Sequence, residues 1–197
     1  MKNAPSFELV VDLFSRLPGI GPKTAKMIAK SMFDNPQLNL LIIKALSDLK
    51  DVGFCQSCFS IIEKGMKYCD ICADDKRENI ICIVAQYTDV DLIESTRDYN
   101  GTYYVLGGLI SPEEGILGES FQLDVLSDRI NKEHPVEIIF ALETSLNADS
   151  TMLYIRNYLS SYTGKFSRLA RGLQIGSTLE FTDDETIRYS LAERQKV

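Results

Sequence analysis

Two close pairs of cysteines, Cys55-x2-Cys58 and Cys69-x2-Cys72, separated by ten residues, carry the strongest chemical signal in the chain. A Cys-x2-Cys pair sets two thiolates on one tight turn, and a second pair at this distance can complete a tetrahedron around Zn²⁺. With sulfur at all four positions, neither water nor substrate has a coordination site, so one zinc ion per chain is expected to be structural. The enclosing segment GFCQSCFSIIEKGMKYCDICAD (53–74) holds few large apolar side chains, chiefly Phe54, Phe59, Ile61, Ile62, Met66 and Ile71. Metal binding is therefore expected to supply much of its folding free energy. A redox dithiol or buried unliganded cysteines would suit a single pair; two pairs at this spacing favour the metal. Cys82, between Ile81 and Ile83, reads as a small core hydrophobe.

The second signal is RLPGIGPKTAKMIAK (16–30), which holds Arg16, Lys23, Lys26 and Lys30 and no acid, in a chain of net charge −7. Leu17-Pro18-Gly19-Ile20-Gly21 lies between two stretches of helical periodicity and fits the turn of a helix-hairpin-helix. Glycines there let the backbone turn sharply and approach a ligand closely. Their amides, with the N-terminus of the following helix, suit a phosphate. Arg16, Lys23 and Lys26 would add salt-sensitive attraction that holds a DNA strand without reading its sequence. The expected DNA-binding set is Arg16, Gly19, Ile20, Gly21, Lys23, Thr24 and Lys26. The plainer alternative is a turn joining two packed helices beside a solvated lysine face. Coincidence of the apolar Ile20, the Pro22-Lys23 step and the acid-free surroundings favours DNA.

Catalytic constellations are not found. His134, the single histidine, precedes Pro135 beside Lys132 and Glu133 and reads as a surface loop residue. No Ser/His/Asp or Cys/His set can be assembled around it. Metal-dependent phosphoryl chemistry would need carboxylates gathered at the carboxyl ends of strands. One apolar run ends Val84-Ala85-Gln86 without an acid, and Glu143 has no acidic neighbour before Asp149. The segment GLQIG (172–176) reads as turn glycines rather than a phosphate loop.

Several kinds of element must position these groups. Phe7, Val10, Val11 and Phe14 recur at helical spacing, Pro22 opens a second helix with Ala25, Ile28, Ala29 and Met32 on one face, and a third helix follows Pro36. Its apolar side is Leu38, Leu41, Ile42, Ala45, Leu46 and Leu49. Beyond the cysteines, strand-length apolar runs at 80–85, 102–106, 136–142 and 165–170 alternate with helical stretches near 89–98, 120–132 and 149–162. That alternation predicts an α/β domain with a parallel sheet covered on both faces. The tail predicts a glycine-punctuated loop or hairpin, then a helix begun by a Thr182-Asp183-Asp184-Glu185 capping box. The expected modules are 1–54, 55–76, 79–168 and 169–197.

Composition bounds the surroundings. The longest uncharged run, residues 99–112, is too short for a membrane span and is broken by glycines and a proline. Glu8 and Asp12 interrupt the apolar N-terminus, which argues against a secretory signal, and a cytoplasmic location is expected. Residues 1–54 carry seven basic and five acidic side chains, net +2, while the remainder carries net −9. Positive charge is concentrated where the hairpin is.

The order helix-hairpin-helix, four-cysteine module, α/β domain, short extension resembles the RecR family of bacterial recombination mediators over essentially the whole chain. The segments that carry the resemblance are RLPGIGPKTA (16–25), the cysteine quartet, VLGGLISPEEGI (105–116) and RLARGLQIGSTLEFTDDETI (168–187). The resemblance implies a Toprim-type fold for 79–168 and no enzymatic activity. It also implies a ring-shaped homotetramer whose hole admits DNA, and partnership with RecO, in some bacteria RecF, to place RecA on single strands. This chain departs from the family at Ala85, where a Toprim glutamate is usual, and at Asn147-Ala148-Asp149, where Glu-Gly-Glu is usual. Those departures remove carboxylates that a Toprim-site metal would use. A Toprim nuclease or primase-like enzyme and a zinc scaffold without a DNA role are the competing readings.

Overall fold

The structure is a computed structural model that describes residues 4–170, 172, 173, 176, 178–192 and 194. It forms two compact units, Met1–Val52 and Gly53–Val197.

The first unit is three helices, α1 (Pro5–Ser15), α2 (Pro22–Asp34) and α3 (Pro36–Asp48), with a 3₁₀ turn Leu49–Asp51. All three start with proline in the first turn, where its missing N–H has no helical partner to lose. Asn35 caps α3 by accepting from the Leu38 amide at 3.1 Å. α1 packs on α2 over Ala25 and Ala29, the two buried residues among those described in this unit. Their small side chains let the helices approach. The apolar side expected for α3 behaves differently: Leu38, Leu41, Leu46 and Leu49 stay exposed, as do Leu40 and Ile43. The periodicity is present, but among the described residues no other element of the unit covers it.

Starting at the last residue of the first unit, β1 (Val52–Phe54) leads into the second and pairs with β2 (Ile61–Glu63), and the single-turn helix α4 (Asp70–Ala73) follows. There follow β3 (Ile80–Val84), α5 (Tyr87–Thr96), β4 (Thr102–Val105), α6 (Leu123–Glu133), β5 (Glu137–Ala141), α7 (Leu146–Tyr158), β6 (Lys165–Arg168) and α8 (Asp184–Ala192). The sheet order is β4-β3-β5-β6 with every pair parallel, as the unbroken apolar runs predict. Strand alternation divides the core into two faces. Ile81, Ile83, Tyr104, Ile138 and Phe140 pack with Leu126 and Ile130 of α6 and Ile155 of α7. Cys82, Val84, Tyr103 and Val105 pack with Val90 of α5. Cys82 is a core residue, and burial pushes its thiol up to about 12.

Three boundaries differ from expectation. The helix expected from 120 starts at Leu123, because Gly118–Phe121 forms a 3₁₀ turn first. The helix expected from 149 starts at Leu146, because Ser145 Oγ accepts from the Ala148 amide and caps it. In the tail the cap is Asp183, which takes the Thr186 amide at 2.8 Å and hydroxyl at 2.7 Å, while Thr182 donates its hydroxyl back to Thr178. Gln174 and Ile175 of GLQIG lie outside the described residues. His134 is exposed and closes α6 in the left-handed conformation.

Candidate metal centre and nucleic-acid interface

The four cysteine sulfurs all lie within 4.8 Å of one another. A tetrahedron with Zn–S bonds of about 2.3 Å would place them about 3.8 Å apart, so little movement is required. Cys58 Sγ and Cys69 Sγ are already 3.6 Å apart. The first pair sits on the turn after β1, and the second spans the start of α4, with Cys69 as its N-cap. Two backbone amides point at sulfur: Cys69 donates to Cys55 Sγ and Cys72 to Cys69 Sγ, both at 3.4 Å. Such donors favour thiolate, the form that binds metal. Cys55 and Cys58 are buried, which shields the centre from water. Among the four crowded sulfurs, proximity to Cys58 first, then to Cys69 and Cys72, pulls the Cys55 thiol down, whereas proximity to Cys55 pushes the Cys72 thiol up. Four thiolates at this spacing repel one another unless a cation lies among them. Donor type, spacing and burial all fit a closed S₄ metal site.

The turn between α1 and α2 has the geometry that glycine permits. Gly19 has φ +76°, in the left-handed region. Gly21 is the extended N-cap of α2, with φ −78° and ψ 166°, and a Cβ there would meet nothing within 4 Å. Neither the backbone nor the packing of this chain therefore requires glycine at position 21. The amides divide into two groups. Ile20 donates to Leu17 O at 3.1 Å and so belongs to the turn itself. Among the described residues, the Gly19, Gly21, Lys23 and Thr24 amides have no acceptor in the chain. Lys23, Thr24 and Lys26 are exposed, and among the described residues neither lysine is in an ion pair. Arg16 differs, since it pairs with Asp12 one turn earlier on α1. Lys30 likewise pairs with Asp34.

At the carboxyl end of the sheet a cavity of about 230 Å³ is lined by Leu142, Glu143, Asp149, Met152 and Arg168 among others. Arg168 Nη1 stands 3.9 Å from Asp149 Oδ1, and the Arg168 guanidinium also lies over the Tyr189 ring. Ala85 follows β3 without a carboxylate, and Asp89 is engaged as the capping-box partner of Gln86. Among the described residues, the cysteine quartet is the one group of three or more Cys, His, Asp or Glu that can hold a metal.

Arg129 was not legible as a site residue. It is 7% exposed and ties α6 to β4 and to the cysteine loop through Tyr103 O (2.8 Å), Thr102 Oγ1 (2.6 Å) and Ser57 O (3.4 Å). Its pairing with Glu133 at i+4 is the local part of the pattern; the contacts across the fold leave no mark in the sequence.

The Toprim domain family matches residues 79–170, which is the parallel sheet with its helices. The Recombination protein RecR of Amoebophilus asiaticus is 40% identical over 190 residues, covering 95% of this chain and 94% of that protein. The protein of the same name from Prochlorococcus marinus (strain MIT 9313) is 40% identical over 189 residues, covering 94% and 98%. That of Brachyspira hyodysenteriae is 38% identical over 202 residues, covering 98% of each. The chain belongs to the RecR family of recombination proteins. RecR-type similarity extends well beyond the Toprim match, because alignments over 94–98% of the chain must take in the hairpin and the cysteine quartet as well as the sheet. A role in recombination repair follows from that membership.

Proposed function

We propose that the chain is a non-enzymatic DNA-binding mediator of recombinational repair. It acts as a ring-shaped homotetrameric clamp with RecO, and with RecF where present, to help load RecA on single-stranded DNA in the cytoplasm. The observation that carries the reading is the set of open amides at Gly19, Gly21, Lys23 and Thr24 beside the unpaired Lys23 and Lys26. Together they offer a phosphate both hydrogen bonds and charge, with contributions from Arg16 when it leaves Asp12 and with Ile20 shaping the turn. One hairpin makes few phosphate contacts, and several copies on a ring would raise the effective concentration of the rest. The uncovered apolar side of α3 favours such an assembly, since Leu40, Leu41, Ile43 and Leu46 suit burial against another copy. The net −9 outside the first 54 residues would discourage DNA from other surfaces.

Zn²⁺ is the ion this reading assigns to Cys55, Cys58, Cys69 and Cys72, since two close Cys-x2-Cys pairs are the usual spacing of a structural zinc site and leave no catalytic position. Among the described residues no helix is long and apolar enough to cross a membrane. Fluorescence anisotropy with single-stranded, duplex and gapped DNA, read beside multi-angle light scattering, tests the proposal. Salt-sensitive binding of any sequence by a tetramer is the expected result. Absence of binding at low salt, or magnesium-dependent cleavage of the DNA, would overturn it.

A further inference from the structure

The edge of the four-stranded sheet formed by β4 is open to further hydrogen bonding only in principle. Residues 103 and 105 of a strand point their backbone groups to the same side, and here that side faces away from β3. The Val105 amide donates outward to Cys58 O at 2.8 Å. The Tyr103 carbonyl accepts outward from Arg129 Nη1 at 2.8 Å, and Arg129 Nη2 donates to Thr102 Oγ1. Arg129 Nη1 also reaches Ser57 O in the cysteine loop, at 3.4 Å. The neighbouring amide, Leu106, donates the other way, into the sheet, to Val84 O at 3.0 Å. Side chains follow the backbone around the edge. Phe59 packs against both core faces, and Ile71, between Cys69 and Cys72, packs on the α5 face.

We propose that the cysteine loop is a clasp that closes the open edge of the sheet, with Arg129 as the positioning residue that seats it and the bound metal as what keeps it shut. Unpaired edge groups are a standing liability in sheets, and proteins cover them. Here the cover is a loop whose shape depends on an ion, so release of the ion opens Val105 first. The inference rests on the zinc reading above. Metal analysis of the purified protein, done before anything else, fails separately from it.

The test is hydrogen exchange on the full chain, with bound metal and after chelation, resolved residue by residue by fragmentation mass spectrometry. Val105 exchange is expected to rise roughly tenfold or more on chelation, with Leu106 changing far less. An equal rise at both amides, or no rise at Val105, would overturn the clasp. A second measurement leaves the ligands untouched: release of metal to a chromogenic chelator from Arg129→Met and Thr102→Val proteins. Arg129→Met removes the fork and Thr102→Val removes one of its acceptors while keeping a β-branched strand residue. Release is expected to be faster by roughly 10- to 100-fold for Arg129→Met and less for Thr102→Val, as for other groups that orient metal ligands. Wild-type release from Arg129→Met would remove Arg129 from the device.

Discussion

Phe59 meets Tyr104 edge to face, with ring centroids 5.5 Å apart and planes at 83°. The first residue follows the Cys55/Cys58 pair and the second lies in β4, so the cysteine module and the sheet share one core. Phe59 holds φ +62°, a conformation that costs a bulky side chain about 1–2 kcal/mol. Packing of the ring against both core faces offsets that strain. Phe59→Ala should therefore destabilise the second unit by about 3 kcal/mol, measured by urea unfolding of the metal-bound protein. A loss below about 1 kcal/mol would mean that the contact is peripheral.

The two hairpin glycines should separate fold from function. Gly19→Ala places a Cβ on a residue at φ +76° and should cost about 1–2 kcal/mol in thermal or denaturant unfolding. Gly21→Ala adds a methyl group in open space on an extended residue, and the poorer N-cap is opposed by a less flexible unfolded chain, so stability should change by less than about 0.5 kcal/mol. DNA affinity should nevertheless fall for Gly21→Ala, because close approach of a phosphate to backbone amides is what a glycine without a side chain permits. Undiminished affinity in that protein would place the strand elsewhere.

Cations around the turn should not be equivalent. Lys23→Glu combined with Lys26→Glu should abolish most binding at moderate salt. Neutral Lys→Gln versions should flatten the slope of log affinity against log salt by roughly 0.7–0.9 for each contact removed. Arg16 is held by Asp12, so Arg16→Gln should cost less than Lys23→Gln, and Asp12→Asn should strengthen binding. Titrations at several salt concentrations give all of these values. Equal losses for Arg16→Gln and Lys23→Gln would show that the Asp12 pair is irrelevant in solution.

What the sequence revealed was local. Proline at the start of the second and third helices, apolar spacing of 3.6 or continuous apolar runs, and two Cys-x2-Cys pairs are each set by neighbours a few residues away, and the corresponding elements and the sulfur cluster formed, with some helix starts displaced. Contacts between distant segments were not legible. Arg129 reaching Thr102 and Ser57, and Phe59 entering the sheet core, depend on which elements the fold brings together. The tail cap failed by one residue because Thr182 and Asp183 are both good caps, and only the backbone path chooses between them. For α3 the spacing identified an apolar side but not its cover, since periodicity is silent about what lies opposite.

Acid should weaken the second unit through Glu94. Arg77 grips its carboxylate with two hydrogen bonds, at 2.8 and 2.7 Å, and the Tyr103 hydroxyl adds a third at 2.7 Å. The Arg77 guanidinium, with help from Tyr103, holds the Glu94 carboxyl below the usual glutamate range, against the opposing effect of burial. A carboxyl whose value is lowered in the folded state contributes its full stability above the unfolded value of about 4.3 and loses it as pH falls through the folded value. Stability should thus begin to decline near pH 4.3 and continue below it. Glu94→Gln should remove that part of the decline and lower stability at neutral pH by roughly 1–3 kcal/mol, because the half-buried Arg77 loses its carboxylate and keeps only the Gly101 carbonyl and the more distant Asp74. Denaturant unfolding of both proteins from pH 7 to pH 3.5 measures the difference. Parallel curves would show that Glu94 ionises as freely in the folded chain as in the unfolded one.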